Sequence, residues 1–185
     1  DNQMERKKVN TPFTDDDIRS FKAGDMLYIS GIIYTARDAA HKRLVEMIER
    51  GEPMPFEFEG QTVYYAGPAP AKPGKPIGSV GPTTSGRMDA YSPTLIENGL
   101  KVMIGKGTRN DAVVEAMKNH TGVYFAAIGG AAALMAKCVI SVEIIAFEDL
   151  GTEAIRRMEV KDLPVVVAID SQGDNMYKMA LEQNR

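Results

Sequence analysis

Cysteine is almost absent from this chain. Of 185 residues one is cysteine, Cys138, and two are histidine, His41 and His120. A disulfide within the chain is impossible, which fits a reducing compartment. A Cys-rich zinc site or an iron–sulfur cluster takes about three or four protein ligands, mostly thiolates, so this chain cannot hold one alone. Any such group must be carried by another chain. Long apolar runs are absent too. Val123–Ala127 and Val165–Ile169 fall far short of the ~20 residues a membrane helix needs, so the chain reads as having no membrane partner. The segment from Asp1 to Asp17 is polar and charged, which reads as the lack of a secretory leader and a cytoplasmic location. An excess of basic charge is also missing. Lys and Arg total 22 against 25 Asp and Glu, a formal net charge of -3. That removes the bulk electrostatic case for nucleic acid.

What remains is ordinary for a folded domain. Hydrophobic residues make up 44% and charged residues 25%, which excludes a disordered or collagen-like chain. The length suits one domain over residues 1–185 with a real core. Residues 1–10 are expected to be flexible.

Thr14 followed by Asp15, Asp16 and Asp17 has the chemistry of a helix start, and Gly24 a helix end. Met26–Thr35 is rich in β-branched and aromatic residues and reads as a strand, with Gly31 as a bulge. From Arg37 to Arg50 the apolar residues Ala40, Leu44, Met47 and Ile48 keep helical spacing. Between Gly51 and Pro82 glycine and proline are dense, so this stretch predicts an irregular β region, with short strands at Thr62–Ala66 and Ile77–Val80. The C-terminal half alternates. Strands are expected at Val102–Ile104, Val123–Ile128, Val139–Phe147 and Leu163–Ile169. Helices are expected at Met88–Asn98, Asp111–Asn119, Ala131–Lys137 and Asn175–Gln183, and Ile155–Met158 fits either state. Continuous apolar strands separated by helices imply an α/β fold whose mixed, largely parallel sheet is covered on both faces.

Three clusters carry possible chemistry. Gly81-Pro82-Thr83-Thr84-Ser85-Gly86-Arg87 puts small hydroxyl residues between glycines at a strand-to-helix junction. Such a turn exposes backbone N–H groups and hydroxyls to an anion, and Arg87 adds a fork that fits a carboxylate or phosphate. On residue types alone a helix cap with a surface arginine is the plainer reading of the same residues. Gly105-Lys106-Gly107 follows an apolar strand, where glycines admit close approach and Lys106 brings a point charge. It is neither a Walker A loop nor a dinucleotide fingerprint, since Gly107 follows the lysine and Asn110 stands where a third glycine is needed. Arg37 lies at another strand-to-helix junction, beside Asp38 as either a salt-bridge partner or a cleft residue. His41 reads as a solvated helix histidine, His120 as a helix-end residue and Cys138 as a small hydrophobe. Glu143, Glu148, Asp149 and Glu153 read as solvated or loop-capping acids. Two arginines, a lysine and a group of hydroxyls suit a small dicarboxylate.

On these residues the chain resembles a known family. GPTTSGRMDAY (Gly81–Tyr91), IGKG (Ile104–Gly107), TARDAAHKR (Thr35–Arg43) and AFEDLGTEAI (Ala146–Ile155) are similar to the β subunit, or C-terminal domain, of class I iron–sulfur fumarases. The related L-tartrate dehydratase β subunits share the GPTTS and GKG elements. The resemblance implies a three-layer β/β/α domain of the swivelling type. It implies that Arg37 and Arg87 bind substrate, with Thr84 and Ser85 beside them. It implies that Thr83 acts in proton transfer and that Lys106 lines the site. It also implies a 4Fe-4S cluster held by a partner α subunit, the fumarase α subunit, in a dimer of αβ pairs. The expected reaction is reversible hydration of fumarate to L-malate. The alternatives are a tartrate or other hydroxydiacid dehydratase, and a non-catalytic anion-binding or assembly module.

Overall fold

A computed structural model describes residues 6–128 and 132–183. Its elements are β1 (Lys7–Asn10), α1 (Asp15–Ser20), β2 (Met26–Thr35), α2 (Asp38–Glu49), β3 (Thr62–Tyr64), α3 (Ser92–Glu97), β4 (Val102–Gly105), α4 (Asp111–His120), β5 (Val123–Ala127), α5 (Ala132–Lys137), β6 (Val139–Ala146), β7 (Ile155–Ile169) and α6 (Met176–Gln183), with short 3₁₀ turns at Ser85–Met88 and Glu148–Glu153.

The seven strands form one sheet in the order β1-β2-β3-β4-β5-β7-β6. Neighbours from β1 through β5 run parallel, and β7 runs antiparallel to β5 and β6. The sheet is therefore mixed and mostly parallel, as expected. It does not stay open, because β7 also pairs antiparallel with β2 along nearly its whole length, from Met26↔Val166 to Thr35↔Arg156. Strands β2, β3, β4, β5 and β7 thus close into a five-stranded ring. The register shift between Ile29 and Gly31 marks the bulge that the glycine implied. There is no room for a side chain at Gly31, since a Cβ would run into the Thr11 hydroxyl, and its φ is 114°.

Alternation along the strands sorts the core into two clusters. Leu27, Ile29, Ile104, Phe125, Val165 and Val167 belong to the first, which fills the ring. Phe13 and Phe21 pack edge-on at 5.4 Å and both approach Phe125, so α1 plugs one end. That short helix is held by a capping box between Thr14 and Asp17. Val63, Tyr65, Met103, Tyr124 and Ala168 belong to the second cluster, together with Leu44 of α2, Leu95 and Ile96 of α3, and Val113 and Met117 of α4. Both faces of β3, β4 and β5 are thus buried, which is why these strands read as continuous apolar runs.

Four expectations need correction. Lys7–Asn10, expected to be flexible, pair with Leu27–Ser30 as strand β1. Ile77–Val80 is not a strand: Ala69 N–H donates to the Ser79 carbonyl at 2.9 Å and Gly78 N–H to that of Ala69 at 3.2 Å, folding the segment back on itself as a loop that still buries Ile77 and Val80. The helix expected over Met88–Asn98 is divided into the 3₁₀ turn and α3, whose first turn holds Pro93. Ile155–Met158 and Leu163–Ile169 are parts of one strand, β7. The break between them in the sequence is Asp162, whose φ is 52°, followed by Leu163 and Pro164. Ala131, at the start of the expected helix, lies outside the described residues.

Candidate functional site

Three adjacent parallel strands end side by side. Thr35 of β2 is level with Tyr64 of β3, and Tyr64 with Ile104 of β4. The crevice beyond the carboxyl ends of such strands is where open parallel sheets bind ligands, and the three motif segments all arrive there. Arg37 lies between β2 and α2. Lys106 leaves β4. The Gly81–Arg87 loop is stitched between them: Thr83 N–H donates to the Tyr65 carbonyl at 2.7 Å, Ser85 N–H donates to the Lys106 carbonyl at 2.8 Å, and Thr84 forms a parallel bridge with Lys106.

The arginines meet on one carboxylate. Arg87 Nε donates to Asp38 Oδ2 at 2.8 Å, and Arg37 Nε lies 3.8 Å from Asp38 Oδ1. Their side chains stay 56% and 27% exposed respectively, so a ligand can reach both. Arg37 Nε and Asp38 Oδ1 are shielded from water yet have no hydrogen-bond partner, leaving capacity at the site unused. Of the two readings of Arg37, the pair with Asp38 is present. Gly67 is required here, because a Cβ would come within 2.9 Å of Arg37 Cδ and 3.0 Å of the Thr152 carbonyl. Arg37, at the N-cap of α2, makes no side-chain cap. Glu153 does it instead, accepting from Ala39 N–H at 2.9 Å, as a loop-capping acid should. Asp149 takes both Nη groups of Arg43 at 2.8 Å.

Thr84, Arg87 and Lys106 are exposed and Thr83 is half-buried. Ser85 differs: it is fully buried. Tyr124 Oη lies 2.7 Å from Ser85 Oγ and 2.8 Å from the Gly107 carbonyl. The carbonyl can only accept, so the single phenol proton goes to Gly107 and the Ser85 hydroxyl supplies the other bond. In this geometry Ser85 anchors the loop rather than facing a ligand. Burial pushes the Tyr124 phenol well above its usual range, outweighing Ser85 and Arg109, so it stays protonated.

His41 is a correction. It is 1% exposed, not solvated, with its ring edge-on to Tyr65 at 5.1 Å. Its Nδ1 is 2.9 Å from the Arg37 carbonyl and so carries the proton. Burial lowers its pKa to about 4, against the opposing pull of that carbonyl and with the help of the Arg109 charge. A neutral ring thus steadies the backbone of Arg37 from one helical turn away.

What sequence reasoning missed lies beneath the loop. Arg109 has a fully buried side chain. Its Nε donates to Asp89 Oδ1 at 2.8 Å, and its Nη2 reaches Ser92 Oγ at 2.8 Å and Tyr65 Oη at 3.2 Å. Arg109 follows GKGT and Asp89 ends GPTTSGRMD, but no spacing pattern says that these two charges face inward.

Among the described residues no three His, Cys, Asp or Glu side chains stand close enough to hold a metal ion. The thiol of Cys138 is half-buried and raised in pKa by burial, unlike a metal-ligating thiolate. The donor set for an iron–sulfur cluster is not found among the described residues. No helix among them is long and apolar enough to cross a membrane.

The fold and site define an α/β domain with arginine, lysine and hydroxyl side chains gathered at the carboxyl ends of parallel strands. The sequence matches the Fumarase C-terminus family over residues 1–180, and the chain belongs to that family. It is similar to Fumarate hydratase 2 of Leishmania major, 39% identical over 166 residues that make up 89% of this chain and 29% of the relative. It is also similar to the anaerobic class I fumarate hydratase of Escherichia coli K12, 37% identical over 90% of this chain and 31% of the relative. The chain therefore spans under a third of these fumarate hydratases. A third relative, from Methanocaldococcus jannaschii, is provisionally named L(+)-tartrate dehydratase subunit beta. It is 37% identical over 89% of this chain and 88% of its own length.

Two outcomes test this geometry. A Cβ at Gly105 would overlap Ser85 Oγ and come within 2.8 Å of the Tyr65 ring. Gly105→Ala should therefore push the Gly81–Arg87 loop off its seat and lower stability by about 1–3 kcal/mol in urea melts; wild-type stability would contradict the packing. For His41, the imidazole resonance should titrate near pH 4 rather than the ordinary 6.5. Above pH 6.5 the ring is neutral whether folded or not, and its contribution to stability is complete. As pH falls from 6.5 towards 4 the unfolded chain takes up a proton that the folded chain refuses, so that contribution is lost. A titration midpoint near 6.5 would contradict the buried placement.

Proposed function

We propose that this chain is the half of a two-part hydro-lyase that binds the carboxylates of its substrate, with reversible hydration of fumarate to L-malate as the reaction. The observation that carries this reading is the meeting of Arg37 and Arg87 on Asp38, where the hydroxyl loop and Lys106 also arrive. Arg37, Arg87 and Lys106 bring positive charge to these segments, which suits an anionic substrate. Arg37 and Arg87 would hold a carboxylate through their forks, and Lys106 would add a point charge on the other side of the loop. Charge grows on that carboxylate as the neighbouring carbon gains or loses its proton, and fixed cations favour that state over the ground state.

Thr83 would exchange the carbon-bound proton, with Thr84 orienting the substrate and Ser85 holding the loop from below. A threonine hydroxyl is a weak base alone, so Thr83 depends on the positive field of Arg87 and Lys106. A 4Fe-4S cluster on a partner α subunit, the role assigned by resemblance, would supply the handling of the hydroxyl group. Membership of the Fumarase C-terminus family supports the hydro-lyase reading. In that enzyme this chain would be the swivelling-type β/β/α domain, assembled as a dimer of αβ pairs in the cytoplasm. The relative named as a tartrate dehydratase β subunit, matched over 88% of its length, favours a separate β chain and keeps tartrate as the second substrate.

In the reconstituted pair, Arg87→Ala should lower kcat/KM for fumarate by about 100-fold or more, as removal of a charge-stabilising donor commonly does. Arg87→Lys, which keeps the charge and loses the fork, should fall between the two. An unchanged kcat/KM in Arg87→Ala would overturn the assignment, and turnover of tartrate but not fumarate would replace the substrate.

A further inference from the structure

Arg109 is an expensive residue to bury. A guanidinium removed from water is tolerated only where nearly every donor is paired, and an apolar residue would fill the space at less cost. Its pairing here is thorough. Nε holds Asp89, Nη2 holds Ser92 and Tyr65, and Nη1 lies 3.5 Å from Met103 Sδ. The guanidinium also stacks over the Tyr65 and Tyr124 rings, with centroids at 5.1 and 4.8 Å. Burial works against its charge, but Tyr65 and Asp89 outweigh that and keep it a cation.

Each partner leads to a different site segment. Asp89 follows Arg87 by two residues, and its second oxygen accepts from Asn110 N–H at 2.8 Å, which fixes the exit of the loop. The Tyr65 carbonyl holds Thr83 N–H, which fixes its entry. Tyr124 holds Ser85 in the middle of the loop and Gly107 beyond Lys106. Ser92, with its hydroxyl proton given to the Met88 carbonyl at 3.0 Å, accepts from both Arg109 and Tyr65.

We infer that Arg109 and Tyr124 are positioning residues that set the loop of Thr83 and Arg87 against Lys106 and so govern how tightly the cleft grips a dicarboxylate. Neither need touch the ligand. This rests on the carboxylate-binding reading above. It adds that the gap between loop and turn is fixed from below by a buried cation and one phenol.

The test uses Tyr124→Phe in the chain assembled with its partner subunit. This variant keeps the ring over Arg109 and removes only the hydroxyl shared by Ser85 and Gly107. KM for fumarate should rise between about tenfold and a hundredfold, the penalty of a small misplacement at a reacting centre, while the melting temperature moves by only a few degrees. Arg109→Lys keeps a charge beside Asp89 but cannot span Asp89, Ser92 and Tyr65 at once, and should raise KM in the same direction. A merely structural role lowers the yield of folded enzyme and leaves the KM of the folded fraction unchanged. An unchanged KM in Tyr124→Phe, with or without loss of folded protein, overturns the inference. If Arg37→Ala also leaves KM unchanged, the carboxylate-binding reading itself fails. If Arg37→Ala raises KM and Tyr124→Phe does not, only the positioning role falls.

Discussion

Strand β7 pairs with β2 on one side and β5 on the other, and much else follows from that double pairing. It turns a mixed sheet into a ring with an inside and an outside. The inside takes the first core cluster and is plugged by the phenylalanines around α1. The outside takes helices α2, α3 and α4 over the second. Closure fixes the strands against one another, so β2, β3 and β4 finish level. A slip of one residue in any of them would exchange the two faces and separate the segments that carry Arg37, the hydroxyl loop and Lys106.

On that frame the cationic cleft is built from two kinds of electrostatic contact. The exposed kind is the sharing of Asp38 by Arg37 and Arg87. The Arg87 side of it is 56% exposed and contributes little to stability, and the shared carboxylate keeps two like charges near each other. The buried kind is Arg109 with Asp89, where low dielectric makes geometry strict and an unpaired partner costly. The exposed contact leaves part of each arginine side chain open to water. The buried contact ties the end of the hydroxyl loop to the turn after Lys106.

The legible parts of this structure are those encoded within a few neighbouring residues. Thr14 with its three aspartates announced α1, Gly31 announced the bulge in β2, and the spacing of Ala40 and Leu44 announced α2. The motif segments around Arg37, Thr83, Arg87 and Lys106 were visible as residue types at strand ends, and they do converge. Features that need distant partners were not legible. Closure of the ring depends on a 15-residue strand whose middle carries Lys161-Asp162 and Pro164, which looks like a break. His41 sits on a helix with charged neighbours, and the rings that cover it, Tyr65 and Tyr91, come from segments far along the chain. Arg109 and Asp89 are twenty residues apart, and no spacing pattern links them. Ser85 looked like its neighbours Thr83 and Thr84, but the alternation of the β-bridge turns it inward to Tyr124.

Family membership and the brief span relative to the fumarate hydratases agree with a domain that supplies one wall of a site. The described residues offer cations, hydroxyls and a rigid loop, and no set of metal ligands. We propose that this chain holds a dicarboxylate while another polypeptide completes the chemistry. The most direct test is an anaerobic assay following loss of fumarate in the ultraviolet, with the chain alone and with a co-expressed cluster-bearing α subunit. Turnover is expected only in the pair. Turnover by the isolated chain would contradict a divided site. No turnover of fumarate, tartrate or a related diacid by a pair with an intact cluster would contradict the hydro-lyase assignment.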